Sequence, residues 1–117
     1  VSLESDLQAL LEAICPRVFA DFAQLKTAKP YVTWQQIGGR AVTFVDNLVP
    51  SKENAYVQIN VWSTTRSEAK TIAKQIESAM TTTTAFQARP VSAVVSDSDS
   101  DLHIYSTRQD FDCWANR

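Results

Sequence analysis

The 117-residue chain has only two glycines, two cysteines and one histidine. So little glycine leaves little room for long flexible linkers, and a chain disordered throughout is not expected. Cys15 and Cys113 lie at opposite ends of the sequence and make neither a disulfide framework nor a metal cluster, so both read as buried, reduced thiols. Long apolar runs are missing too. Nothing approaches the roughly 20 residues that span a bilayer, and no basic stretch followed by an apolar core opens the sequence. The chain therefore reads as soluble and unexported, with no membrane partner. Clusters of Lys and Arg are also absent, and the net charge is -2 with a pI near 5.3. Sequence-specific nucleic acid is not an expected partner, because nucleic-acid binding relies on clustered cations that displace counterions.

Chemical motifs are equally sparse. There is no Gly-x-Ser-x-Gly, no phosphate-binding glycine loop and no Cys-x-x-Cys. His103 stands without a partner to orient it or to take up its proton, and reads as a surface or structural residue. Asp97, Asp99 and Asp101 alternate with serines, as at the start of an EF-hand loop, but Leu102 and Arg108 occupy the positions that need glycine and a bidentate acid. They read instead as a solvated hairpin loop whose charge opposes edge aggregation. Asp110 and Asp112 share a strand face with Arg108, which suits a charge cluster or subunit contact better than an acid-base pair. No catalytic residue, cofactor or metal is expected.

What remains is the composition of a globular domain, 44% hydrophobic and 21% charged, read as one domain over residues 1–117. Leu3, Leu7, Leu10, Leu11 and Ile14 recur at helical spacing behind a capping Ser2, and Pro16 ends that helix. From Tyr31 the β-branched and aromatic residues predict a strand with Val32, Trp34 and Gln36 on one face and Tyr31, Thr33, Gln35 and Ile37 on the other. Gly38-Gly39 supplies a turn, and Ala41-Val42-Thr43-Phe44-Val45 reads as the returning strand of a hairpin. Residues 46–53 form an expected exposed loop. In the next strand Ala55, Val57, Ile59 and Val61 face inward, with Tyr56, Gln58, Asn60 and Trp62 opposite.

Thr65-Arg66-Ser67-Glu68 has the form of a capping box opening a second helix, whose stripe is Ala69, Ile72, Ala73, Ile76, Ala79 and Met80. A weak strand interrupted by Pro90, an acidic loop over 96–101 and a final strand from about Leu102 to Trp114 complete the chain. The order α-β-β-β-α-β-β predicts an α+β fold, with about five mostly antiparallel strands and two helices on one side.

The face carrying Tyr56, Gln58, Asn60 and Trp62 invites two readings, extended by Trp34 and Gln36 if they lie on it. It is either a protein interface, for which large aromatics among amides are suited, or a second small core beneath the first helix. Nucleic-acid stacking is disfavoured, since none of these positions is Lys or Arg.

Three segments carry a family resemblance: Pro30-Tyr31-Val32-Thr33-Trp34-Gln35-Gln36-Ile37-Gly38-Gly39, Val57-Gln58-Ile59-Asn60-Val61-Trp62 followed by Thr65-Arg66-Ser67-Glu68-Ala69, and Thr107-Arg108-Gln109-Asp110-Phe111 closing with Trp114. In their order and spacing the chain resembles the small tail-completion proteins of long-tailed bacteriophages and prophages, of the tail-terminator or tail-to-head joining type. The resemblance implies an α+β subunit of the virion, made in the bacterial host cytoplasm, that assembles with itself as a ring, typically a hexamer. The ring would sit at the head-proximal end of the tail tube, with the tail-tube protein and a head-completion or connector protein as partners. No catalysis is implied. On this reading the candidate interface residues are Trp34, Gln36, Tyr56, Gln58, Asn60, Trp62, Asp97, Asp99, Asp101 and Arg108, and luminal acids on the two loops would repel passing DNA. The alternatives are a small protein-binding module and an uncharacterised small-molecule enzyme.

Overall fold

The first helix, α1 (Leu3–Glu12), forms where the leucines recur, and a capping box closes its start. The Ser2 side chain accepts from the Ser5 amide, while the Ser5 hydroxyl accepts from the Ser2 amide at 3.1 Å. The computed structural model of the chain describes residues 2–24, 26–43 and 45–117. After α1 come β1 (Val18–Ala20), β2 (Tyr31–Gly38), β3 (Lys52–Ser63), α2 (Arg66–Thr82), β4 (Gln87–Pro90), β5 (Val95–Asp99) and β6 (Ile104–Asn116). The six strands make one sheet in the order β1-β2-β3-β6-β4, and β5 also lies against β6. Only β1 and β2 are parallel, so the fold is α+β with a mostly antiparallel sheet, as the alternation of elements predicts.

Three strands do separate the helices, but not the three expected. The described residues of the predicted returning strand, Ala41, Val42, Thr43 and Val45, lie outside any strand, and Phe44 falls outside the described residues. β2 instead pairs directly with β3, from Tyr31 opposite Trp62 to Gly38 opposite Tyr56. Its other edge takes β1, with Val18 opposite Val32 and Ala20 opposite Trp34. Both edges of β2 are thus occupied over residues 32–34, so a returning strand cannot pair along that stretch. The three-residue β1 is too short to show a period in the sequence.

The acidic segment is the second correction. Residues 95–99 form β5, whose ladder along β6 runs from Val95 opposite Arg108 to Asp99 opposite Ile104, so the loop shrinks to 100–103. Ser and Asp are poor strand formers, and here pairing with a long neighbour overrides propensity. Pro90 ends β4, as its missing amide requires, and the chain rejoins β6 as β5. The gap is held by β6 itself: the Val91 amide donates to Asp110 O at 2.9 Å, and Gln109 Nε2 to Ser92 O at 3.0 Å.

Directly opposed residues share a face, so the register locates the core. Val32 faces Val61, Trp34 faces Ile59, Val57 faces Phe111 and Ala55 faces Cys113. These residues join Leu3, Leu7 and Leu11 of α1 and Ala69, Ile72, Ala73, Ile76 and Met80 of α2 in one buried cluster. Both helices therefore cover the same side of the sheet. Gln8 fastens α1 over β1 and β2, since its Oε1 accepts from Trp34 Nε1 at 2.7 Å and its Nε2 donates to Val18 O at 3.0 Å.

At the start of α2 the predicted capping box is relayed. Thr65 Oγ1 accepts from the Glu68 amide at 3.3 Å, but Glu68 Oε1 takes the Ser63 hydroxyl, and Ser63 Oγ accepts from the Thr65 amide. Cys15 and Cys113 are buried and unbridged, and burial, followed by the charge of Asp112, pushes the Cys113 thiol up to about 12.

Candidate interaction surface

Among the described residues no helix lies on the opposite side of the sheet, and the register sets its side chains in rows. Tyr31, Trp62, Ser106 and Asp97 form one row across β2, β3, β6 and β5. The next holds Phe19, Thr33, Asn60, Arg108 and Val95, and the third Gln35, Gln58 and Asp110. Beyond them lie Tyr56, Asp112 and Arg89, then Asn54, Trp114 and Gln87. The sequence reading of Tyr56, Gln58, Asn60 and Trp62 as one face therefore holds, and β6 adds Arg108, Asp110 and Asp112 beside them.

Trp34 does not extend this face. It sits opposite Ile59 on the helix-covered side, 6% exposed, and Gln36, though exposed, shares its parity. The alternation within β2 was legible, but not which set points outward. The members of the open face contributed by β2 are Tyr31, Thr33 and Gln35. Val32 beside Trp34 was the available signal, because those two make the more apolar set.

Aromatic contacts order one end of the surface. Tyr31 stacks on Trp62 with centroids 6.0 Å apart and planes 21° apart, and Phe19 meets Tyr31 edge-on at 6.4 Å. Trp62 Nε1 donates to Thr33 Oγ1 at 3.2 Å, and burial raises the Tyr31 phenol. Phe19, Tyr31 and Trp62 are partly buried and Thr33 is buried, so the rings are held by one another and keep part of their surface exposed. A second core beneath α1, the other reading of this face, is not formed, since α1 packs on the covered side.

The other end is polar and concave. Asn54 Nδ2 donates to Asp112 Oδ1 and to Cys113 O, and Asn54 Oδ1 accepts from the Arg40 amide at 2.8 Å. Arg40 Nε donates to the Tyr56 hydroxyl at 3.2 Å, and this bond, with the charges of Tyr56 and Asp112, raises the guanidinium pKa. A cavity of about 480 Å³ opens here, lined by Ile37, Arg40, Tyr56, Arg89, Pro90, Val91, Asp110 and Asp112. Its Asp110 keeps one buried oxygen, Oδ1, without a hydrogen-bond partner among the described residues. A reading strand by strand missed Arg40 and Arg89, because it takes a loop and a short edge strand to bring them beside Tyr56.

Asp97 and Asp99 extend from β5 on the open side, and Asp101 lies in the turn. Two of the three carboxylates serve the backbone: Asp97 Oδ1 accepts from the Ser98 amide, and Asp99 Oδ1 from the amides of Asp101 and Leu102. His103 is exposed in that turn with φ 51. Among the described residues no group of three His, Cys, Asp or Glu side chains is placed to hold a metal ion, and no helix is long and apolar enough to cross a membrane.

No curated protein matches the chain. The family described as "Tail completion protein gp17" matches over residues 3–115, a span that takes in both helices and all but the last residue of the sheet, and the chain belongs to this family of phage tail-completion proteins.

Proposed function

We propose that this chain closes the head-proximal end of the phage tail tube as a ring, typically of six copies, which stops tube growth and presents a surface to the head connector. Membership of the family makes the protein a structural component of the virion that works with other tail or head proteins. The observation that carries the finer reading is the uncovered sheet face. Tyr31, Tyr56, Gln58, Asn60, Trp62 and Arg108 occupy a broad, preformed surface on one side of a sheet whose other side is filled by both helices. Rigid aromatics among amides, with an arginine at hand, are the residues that concentrate binding energy at protein contacts. A ring needs one patch to meet a different patch on the next copy, and a sheet with one open and one covered face offers two unlike sides. The acidic hairpin of Asp97, Asp99 and Asp101 supplies negative charge that, if it faces the lumen, repels DNA during passage. Electron microscopy of tails made with and without the protein tests the reading: overlong or headless tails in its absence support it, and normal tails sink it.

A further inference from the structure

The loop between β2 and β3 is anchored at both ends and apolar at its tip. At its root Gly39 has φ +153, and a Cβ there would sit 2.5 Å from Asn54 O, so only glycine lets the chain lie this close on β3. Arg40 adds two bonds, from its amide to Asn54 and from Nε to Tyr56. At the far end Pro50 is buried, and Ser51 O accepts from the Arg117 amide at 2.8 Å. Between these anchors a turn is set by Asn47 at φ 63 and by Asp46 Oδ1 accepting from the Leu48 amide. The tip exposes Val45 at 104%, Val49 at 75% and Leu48 at 65%. Single exposed aliphatics are ordinary, but three within five residues on one loop form a patch.

A matching concavity lies at the same end of the sheet. The lining of the cavity of about 480 Å³ joins Ile37, Tyr56, Pro90 and Val91, with Val91 61% exposed, to the charged residues Arg40, Arg89, Asp110 and Asp112. Val45, Leu48 and Val49 are not among the residues that line the cavity, so these three do not fill the cavity of their own chain.

We propose that this loop is an exchange arm: Val45, Leu48 and Val49 of one copy seat in the cavity beside Val91 of the next. The pairing rests on the ring reading above and gives it a defined contact. Arm and cavity are different patches at one level of the subunit, as a head-to-tail ring requires. An apolar tip against a cavity whose lining mixes apolar and charged residues also suits a specific interface.

The test is a chain carrying both Val49→Cys and Val91→Cys, assembled on tails and oxidised; the native cysteines are buried. Arm exchange predicts a ladder of disulfide-linked multimers on a non-reducing gel, with little linkage from either single variant alone. Unlinked chains, or a bridge within one chain, overturn it. Electron microscopy of the same tails separates the two readings, because a ring without the ladder removes the exchange arm and leaves the ring. As a second measure, Leu48→Asp with Val49→Asp should keep the wild-type melting temperature within a few degrees, since neither residue is in the core, yet lower incorporation into tails at least tenfold. Incorporation at the wild-type level also overturns the proposal.

Discussion

The two faces of this sheet are cut from the same strands and differ in almost everything else. In β3, Ala55, Val57, Ile59 and Val61 are buried against helices, while Tyr56, Gln58, Asn60 and Trp62, one residue away in each case, are partly open. The covered face holds the fold together by removing aliphatic surface from water, at roughly 1.5–3 kcal/mol for each large side chain. The open face is ordered by hydrogen bonds and ring contacts that leave area free for a partner. Stability and recognition are thus assigned to alternate residues, and substitutions of opposite parity should separate them.

The largest effect belongs to the covered face. Phe111 is fully buried at the centre of the core, opposite Val57. Phe111→Ala should cost about 3–5 kcal/mol, from lost transfer energy and the cavity left behind. Chemical denaturation measures it, and a loss under about 1 kcal/mol would mean that this side is not the core.

How much of this division could be read beforehand follows from period and length. The long strands and α2 carry their own periodicity, so β3, β6 and the capped start of α2 were legible, as was the pairing of Tyr56 with Trp62 on one face. What escaped depended on contacts far apart in sequence. Which side of β2 faces the helices is settled by Gln8 and by the register with β3, and within the strand only the apolar pair Val32 and Trp34 hinted at it. The poor strand formers of β5 are held in place by β6, and Arg40 and Arg89 reach the surface only because the sheet is assembled. The candidate site was therefore visible as a strand face and invisible as a surface.

Trp62→Ala sharpens the comparison from the other side. It removes the stack on Tyr31 and the bond to Thr33, and should lower stability by about 1–2 kcal/mol. Its larger consequence is predicted in assembly, with purified protein failing to restore tails that lack it. A variant that restores tails as well as the wild type would remove Trp62 from the interface. One as destabilised as Phe111→Ala would show that the open face is core after all.

The smallest effect on the fold is expected where the two faces run out, in the acidic hairpin. Asparagine keeps the side-chain oxygen that accepts from the backbone, so changing Asp97, Asp99 and Asp101 together to Asn should leave the turn bonds in place and stability within about 0.5 kcal/mol of wild type. The three carboxylates are exposed, so what the substitution removes is charge presented to solvent or to a partner. If that charge faces passing DNA, the neutral hairpin lets the backbone phosphates approach, and plaque yield or DNA ejection falls while the protein still folds and enters tails. If it faces the connector, head joining falls instead and free tails accumulate. Plaques of unchanged number and size would show that the hairpin charge serves neither step, leaving it only the role of keeping the outer edge of β5 from pairing with other strands.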